Sequence, residues 1–459
     1  MDCATVRALN TKCELMNLSS QQSSFLTRLA PILVVGAFFM AMCAGLIAMH
    51  ADVGSWANDQ NKHHLLTIEQ FAEQMPWPNV VNYPSATAPG WHLFLAVIVK
   101  AGVPIDFIRW CALLPGLLLL IAVWRVGLQF VSPLLAAAAS LPIALSPYTI
   151  GGSSWITTDV PALACVAWSI ALLLNARTRG ADALVDESPW HPRVIRASVM
   201  AALAVTIRQP AVWLAAPIAW SAMCRRLRWG YVSSILPIAV LLMWIALWRG
   251  LIPPAYRDMH DTGWNGSAIL IYLALVCLWG CAFVWVIPPS RSELLRTLKH
   301  PIVRASLAIV LVLWIALPSN YSHEHGRWGG PIWSAIEKCP SLGDRSLLLL
   351  PLALAGVVVI AQLWKRACEM GRGMQANVIV MSLCLVAVSN GANSQAWERY
   401  ADPYILLLVP WLALAGCPRD VAGWRVLLAS MIPALAQVAI AWITIWRPFL
   451  TGLNDGGAT

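Results

Sequence analysis

Apolar and polar positions in this chain segregate on the scale of whole helices. A helix needs about 20 mainly apolar residues to cross a bilayer. The first such run covers 31–50, from Pro31 to His50. Further runs lie near 110–124, 133–149, 157–176, 231–248, 266–287, 303–318, 347–364, 376–390, 402–416 and 425–446. The stretch 194–224 predicts two short helices broken at Arg208-Gln209-Pro210, because proline cannot continue a helix and pushes its predecessor to an extended backbone. The run 91–104 is short. The number of crossings needed before residue 157 requires one of 91–104, 110–124 and 133–149 to re-enter or lie at the interface, and the short run 91–104 is the one expected to do so. The pattern predicts an all-α polytopic membrane protein with about 12–14 hydrophobic helices. Its divisions are a polar cytoplasmic tail at 1–30, one integral-membrane unit at 31–446 with a first external loop at 51–90, and a short polar tail at 447–459.

Composition agrees with this pattern. Hydrophobic residues make up 59% of the 459 and charged residues 12%, against roughly 25% charged in soluble domains. An ordinary soluble enzyme and a disordered chain are both excluded. The net charge of +9 reads as topology, not as nucleic-acid binding, because the basic residues cluster. With the N-terminus inside, the cytoplasmic loops hold Arg177, Arg179, Arg193 and Arg196, then Arg225, Arg226 and Arg228, then Arg291, Arg296, Lys299 and Arg304, then Lys365, Arg366 and Arg372. That is the positive-inside bias. The longer loops at 51–90, 249–265, 319–346 and 391–402 face outward and carry half of the acids, with His, Trp and Tyr. Chemistry is therefore expected on the outer face, most simply the periplasmic side of a bacterial inner membrane or the lumen of the endoplasmic reticulum. The 12 cysteines lie mostly in apolar runs and read as small apolar residues. No phosphate-binding glycine loop, dinucleotide fingerprint or zinc-protease motif is present.

The outer loops hold the candidates. Asp52 and Asp59 follow the first helix, and His63 lies four residues beyond Asp59, on the same face of a helix. A partly desolvated carboxylate at the membrane edge suits general-base chemistry, although loop aspartates are more often simply solvated. Tyr83-Pro84-Ser85-Ala86-Thr87-Ala88-Pro89-Gly90 is a fixed, turning segment. Thr157-Thr158-Asp159 opens a helix, where capping alone would explain it. Arg208, beside Gln209, sits at the outer turn of a membrane hairpin and needs an anionic partner there. The guanidinium fork fits phosphate, and a structural ion pair is the alternative. In 319–346, His323, Glu324, His325 and Arg327 read as a polar lining, since no third ligand supports a metal. The 391–402 loop adds Asn393, Trp397, Glu398, Arg399, Tyr400 and Asp402.

Several of these segments together resemble the GT-C membrane glycosyltransferases, which use lipid-phosphate sugars, and among them the dolichyl-phosphate-glucose α-1,2-glucosyltransferases. Asp59-Gln60-Asn61-Lys62-His63 is similar to that family's D-E-x-x-H run, with Gln60 at the acidic second position. Thr87-Ala88-Pro89-Gly90 matches T-x-P-G, and Thr158-Asp159 its T-D pair. Arg208-Gln209-Pro210-Ala211-Val212-Trp213 resembles R-Q-T-N-x-x-W, with Pro-Ala in place of Thr-Asn. Arg399-Tyr400 echoes a C-terminal Arg-His-Tyr run.

The resemblance implies a GT-C-like fold and transfer of a sugar from a polyprenyl- or dolichyl-phosphate donor to a lipid-linked, protein or glycan acceptor, probing no nucleic acid and using no cofactor or metal. Asp59 and His63 are the expected catalytic residues. Arg208, Gln209, Arg399 and Arg327 are expected at the donor phosphate. Asp52, Tyr83, Thr87, Asp159, Trp213, His323 and Tyr400 are expected at the substrate. The rival readings are a polymerase or ligase using lipid-diphosphate glycans and a lipid or solute transporter.

Overall fold

The computed structural model describes residues 3–51, 54–174, 190–259, 263–418 and 420–454, with backbone alone at 3–25, 54–55, 190–191, 258–259 and 452–454. Asp52 and most of the basic 177–196 loop lie outside the described residues. The chain is all-α, and its named strands form a two-residue-per-side hairpin, Ser341–Leu342 with Arg345–Ser346.

Seven described helices are long and apolar enough to cross a membrane: Leu26–Ala48, Ile105–Gly127, Arg228–Trp248, Ser267–Val284, Leu349–Glu369, Gly373–Gly391 and Gly423–Thr451. Two bent pairs raise the number to nine if each is one span, and Gly90–Lys100, Asp159–Leu174 and Asp402–Ala415 are shorter apolar helices. The 133–149 run is not the straight span expected from its hydropathy. It bends by 74° between Pro133–Ala144 and Pro147–Ser154. Pro147 holds Ser146 extended (φ −64°, ψ 131°), and the Ser146 hydroxyl caps the second half by accepting from the Tyr148 N–H, as proline and serine at a helix start dictate. The 303–318 run is likewise entered through a 72° bend. The amphipathic helix Arg291–Lys299 before it begins with a capping box between Ser290 and Glu293. The first helix runs Cys3–Ala48, and helix continues through Arg447–Asn454.

The Asp159–Leu174 helix packs against Trp190–Ile207 and Leu113–Gly127, and Ser267–Val284 packs along Leu349–Glu369 and Asp402–Ala415. Small residues permit the closest crossings: a Cβ on Gly356 would strike the Leu273 carbonyl, and one on Gly90 would lie 2.6 Å from the Thr206 carbonyl. The hairpin expected at 194–224 is present. The helix Trp190–Ile207 ends at Arg208, which is extended (φ −140°, ψ 116°), and a 3-10 turn, Gln209–Leu214, leads into Ala215–Cys224.

Buried polar bonds fix the outer ends of these helices. The Trp155 indole N–H donates to the Ala51 carbonyl at 2.8 Å, and buried Arg109 donates to the carbonyls of Ser154 and Ala51. The Asp402 carboxylate accepts from Trp279 Nε1 at 2.5 Å, from Ser146 at 3.3 Å and from Gln437 at 3.4 Å. It thereby joins four helices beneath the outer loops, and buried polar groups are tolerated only when paired in this way.

Candidate active site at the outer mouth

A cavity of about 500 Å³ opens where several loops converge, lined by residues drawn from the segments 59–64, 85–87, 157–159, 208–212, 251–256 and 389–400 among others. Its lining joins the charged side chains to an apolar set, Val212, Leu241, Leu251 and Ile252. Leu241 belongs to the Arg228–Trp248 span, of which only 22% is buried inside the protein.

The charged side chains form a chain. Arg399 Nη1 donates to Asp59 Oδ2 at 2.7 Å, and Arg399 Nη2 donates to the Tyr400 hydroxyl at 3.0 Å. Arg208 lies over the Tyr400 ring at 4.8 Å and pairs with Asp159. The order Asp59, Arg399, Tyr400, Arg208, Asp159 thus runs acid, base, phenol, base, acid, with a cation on each side of the central phenol. Burial alone would raise the Tyr400 phenol, but Arg399 and Arg208 outweigh it and hold it below its ordinary value. Arg399 is enclosed by aromatic faces, with Trp397 at 4.1 Å, Tyr400 at 5.0 Å and Trp56 at 5.9 Å. Burial disfavours its charge, and Tyr400 and Asp59 restore it.

Local sequence explains how each group is held. Asp59 ends the short helix Gly54–Asp59, which passes into a π-turn, Gln60–His64; π-turns recur at functional sites. Gln60, at the position that is acidic in the resembled family, accepts the Ile156 N–H at 2.9 Å. It therefore braces the turn against the segment leading to Asp159. The 391–402 loop is clamped from beyond the cavity. Glu398 accepts the Trp333 N–H at 2.8 Å, at the start of the helix Pro331–Glu337, and the Trp333 indole donates to the Ala396 carbonyl at 2.6 Å. Gly330 (φ 144°) lies directly against the Glu398 carboxyl, where a side chain would collide. Burial pushes Glu398 up to about 8, although the Trp333 and Ile332 N–H groups oppose it.

The structure brings Asp59, His63, Thr87, Asp159, Arg208, Gln209, Arg399 and Tyr400 to one cavity. Several of them have partners that local sequence does not suggest. The partner of Asp59 is Arg399, 340 residues away, not His63. The Tyr256 hydroxyl lies 3.0 Å from the ring nitrogens of His63. Burial lowers the His63 pKa, and Asp59 partly offsets this. The Gln209 amide is spent on backbone: it accepts from Ala88 N and donates to the carbonyls of Ala86 and Leu251. It pins the 86–88 segment and does not offer a free donor to phosphate. The Asp159 carboxylate pairs with Arg208.

Four candidates do not line the cavity. Trp213 is buried in the helix core, 7% exposed, edge-on to Tyr404. Tyr83 is 1% exposed and donates to the Thr87 carbonyl at 2.7 Å, so it shapes the loop from behind. Arg327 donates to the carbonyl and side-chain oxygen of Asn320 and closes its own loop. His323 is exposed and stacks on Trp328, which in turn abuts Trp397. Among the described residues no group of three or more His, Cys, Asp or Glu is arranged to hold a metal. Sequence reading missed Tyr256 and His64, both of which line the cavity. Nothing in the sequence marks Tyr256, whereas the His63-His64 pair was a usable signal.

The chain is similar in fold to three solved structures. One is the archaeal oligosaccharyltransferase AglB from Archaeoglobus fulgidus, in complex with an inhibitory peptide and a dolichol-phosphate: 11% identity, 95% of this chain, TM-score 0.47. The chain spans 58% of that protein's length. The second is ArnT from Cupriavidus metallidurans bound to undecaprenyl phosphate, with 12% identity over 83% of this chain and 76% of that one, TM-score 0.38. The third is ArnT in the apo state, with 11% identity over 86% and 78%, TM-score 0.36. No protein-family model and no curated protein matches the chain. Likenesses this distant carry no argument about activity.

Proposed function

We propose that the chain is a GT-C-type membrane glycosyltransferase that takes a sugar from a polyprenyl-phosphate donor at its outer face. The observation that carries this reading is one cavity with two unlike sets of lining groups. A carboxylate and two arginines converge in it, beside apolar side chains that include Leu241 of the mostly unburied helix Arg228–Trp248. A lipid monophosphate bearing a sugar has that same division into an anionic head and an apolar tail. The short motifs around Asp59, Thr87, Asp159 and Arg208 support it independently, because each of them reaches this cavity.

In the proposed reaction the acceptor hydroxyl attacks the anomeric carbon as Asp59 takes its proton. The bond from the anomeric carbon to the phosphate oxygen breaks, and polyprenyl phosphate leaves with the electron pair. Attack opposite the leaving group inverts the anomeric centre. Arg208 and Arg399 face the charge that grows on the departing phosphate; one such preorganised donor is worth roughly 3–4 kcal/mol in comparable sites. Arg399 thus holds Asp59 in place while facing the leaving group, and Asp159 orients Arg208. Trp397 and Tyr400 offer flat faces for a sugar ring.

The test supplies purified protein with a panel of polyprenyl-monophosphate sugars and the matching diphosphates and follows release of lipid phosphate. Turnover of a monophosphate donor, lost in Arg208→Ala together with donor affinity, supports the reading. Turnover of diphosphates alone, or full donor affinity in Arg208→Ala, overturns it.

A further inference from the structure

At the cavity wall His64 is backed by His92, and the two form a buried pair that the proposed reaction does not use. His64 ends the π-turn, and His92 is the third residue of the segment Gly90–Lys100. His64 Nδ1 lies 2.8 Å from His92 Nε2, and the rings stack at 5.1 Å with 22° between their planes. His92 is fully buried, and its Nδ1 has no hydrogen-bond partner among the described residues.

A 2.8 Å contact between two imidazole nitrogens requires a proton on one and a lone pair on the other. If His64 were the donor, a neutral His92 would have to carry its own proton on Nδ1, as a sealed N–H without a partner. Buried orphan N–H groups are the rarer and costlier kind. If His92 donates from Nε2, its Nδ1 is merely a bare ring nitrogen. His64 then accepts on Nδ1 and carries its proton on Nε2. His64 lines the cavity, and its Nε2, unlike the Nδ1 of His92, is not a sealed atom, so Nε2 is the ring nitrogen left for the cavity. A cationic His92 is disfavoured by its place in the first turn of a helix, where the backbone dipole is positive. Burial holds His64 neutral too, down to about 3, and the nearby charges of Arg208 and Arg399 add to this effect.

We infer that His64, fixed by His92 in the tautomer protonated on Nε2, donates that N–H to a phosphate oxygen of the lipid-phosphate donor, as a third donor beside Arg208 and Arg399. An ionised phosphate oxygen only accepts hydrogen bonds, so donors that cannot switch role read it against a hydroxyl, which does both. The inference rests on the donor class proposed above. It makes His64 a binding residue and His92 its positioning residue.

The experiment measures binding of a short-chain polyprenyl monophosphate to the purified full chain by calorimetry, with the matching alcohol and inorganic phosphate as controls. His64→Phe is expected to weaken binding about ten-fold or more, the usual value of a hydrogen bond to a charged acceptor. His64→Gln, whose amide nitrogen reaches where Nε2 sits, is expected to stay within about three-fold. Nitrogen-15 spectra of histidine-labelled wild-type protein should show His64 protonated on Nε2. His92→Phe should abolish that signature and His92→Gln should keep it. Melting curves identify any variant that fails to fold, and the wild-type spectrum needs no variant at all. Undiminished binding in His64→Phe with weakened binding in Arg208→Ala overturns this inference and leaves the proposed function standing. A bare Nε2 in the wild-type spectrum also overturns it. Absence of wild-type binding overturns both.

Discussion

Replacing Asp59 by Asn removes the anionic end of the charge chain while keeping its shape. Two costs follow, and they separate cleanly. The first is structural. Breaking a fully buried ion pair costs about 3–5 kcal/mol, and breaking an exposed one costs about 0–1. The side chains of Asp59 and Arg399 are 26% and 15% exposed, which places the loss between these limits, near 2 kcal/mol. The faces of Trp397, Tyr400 and Trp56 still hold the Arg399 guanidinium, each at roughly 0.5–2 kcal/mol, so the net cost is about 1–2 kcal/mol. A fold with a stability of roughly 5–15 kcal/mol remains almost wholly folded after such a loss. The second cost is catalytic. A general base is worth about 10²–10⁴ in rate, or roughly 2.7–5.5 kcal/mol on the barrier. Single-turnover release of lipid phosphate per folded protein should therefore fall by about 10²–10⁴ while the melting temperature moves by only a few degrees. Asp59→Asn with Arg399→Met removes the unpaired charge as well. It should regain stability but not rate. Transfer by Asp59→Asn within about ten-fold of wild type refutes the base assignment. Recovery of rate in the double variant refutes it too, since that would make the pair purely structural.

Two further outcomes follow from the supports of the site. Glu398 holds its proton up to about 8, against an ordinary 4.5. Between these values the folded chain binds a proton that the unfolded chain has released. The contribution is thus fully present below about pH 4.5 and is lost as pH rises through about 8. Wild-type melting temperature should fall relative to Glu398→Gln between about pH 5 and pH 8.5, and parallel curves would refute the buried acid. Gly90→Ala places a methyl group 2.6 Å from the Thr206 carbonyl and should cost about 1–3 kcal/mol by overpacking. It should also weaken donor affinity, because the 85–88 segment is tied to Gln209 beside Arg208; an unchanged melting curve and affinity would show that the two segments separate freely.

Much of this protein is determined by its sequence alone, for a simple reason. A bilayer accepts only long apolar helices with internally satisfied backbones, so hydropathy read along the chain already implies an all-α membrane fold. Charge read along the chain implies which loops share a face, and those loops do converge at one mouth. The break at Arg208-Gln209-Pro210 is equally local, because proline enforces it. What sequence could not supply is which groups meet. Asp59 and Arg399 are 340 residues apart, and no local rule pairs them. Helix packing alone brings the first outer loop against the loop at 391–402. Local reading also places Trp213, Tyr83 and Arg327 at the substrate or its phosphate. Tertiary structure divides the candidates by burial: Arg208 and Tyr400 face the cavity, whereas Trp213 and Tyr83 are sealed behind it and Arg327 is spent on Asn320. The His64–His92 pair shows the same division most sharply. The sequence places a second histidine beside His63, but only the packing of the segment Gly90–Lys100 against the π-turn decides which nitrogen of His64 bears the proton.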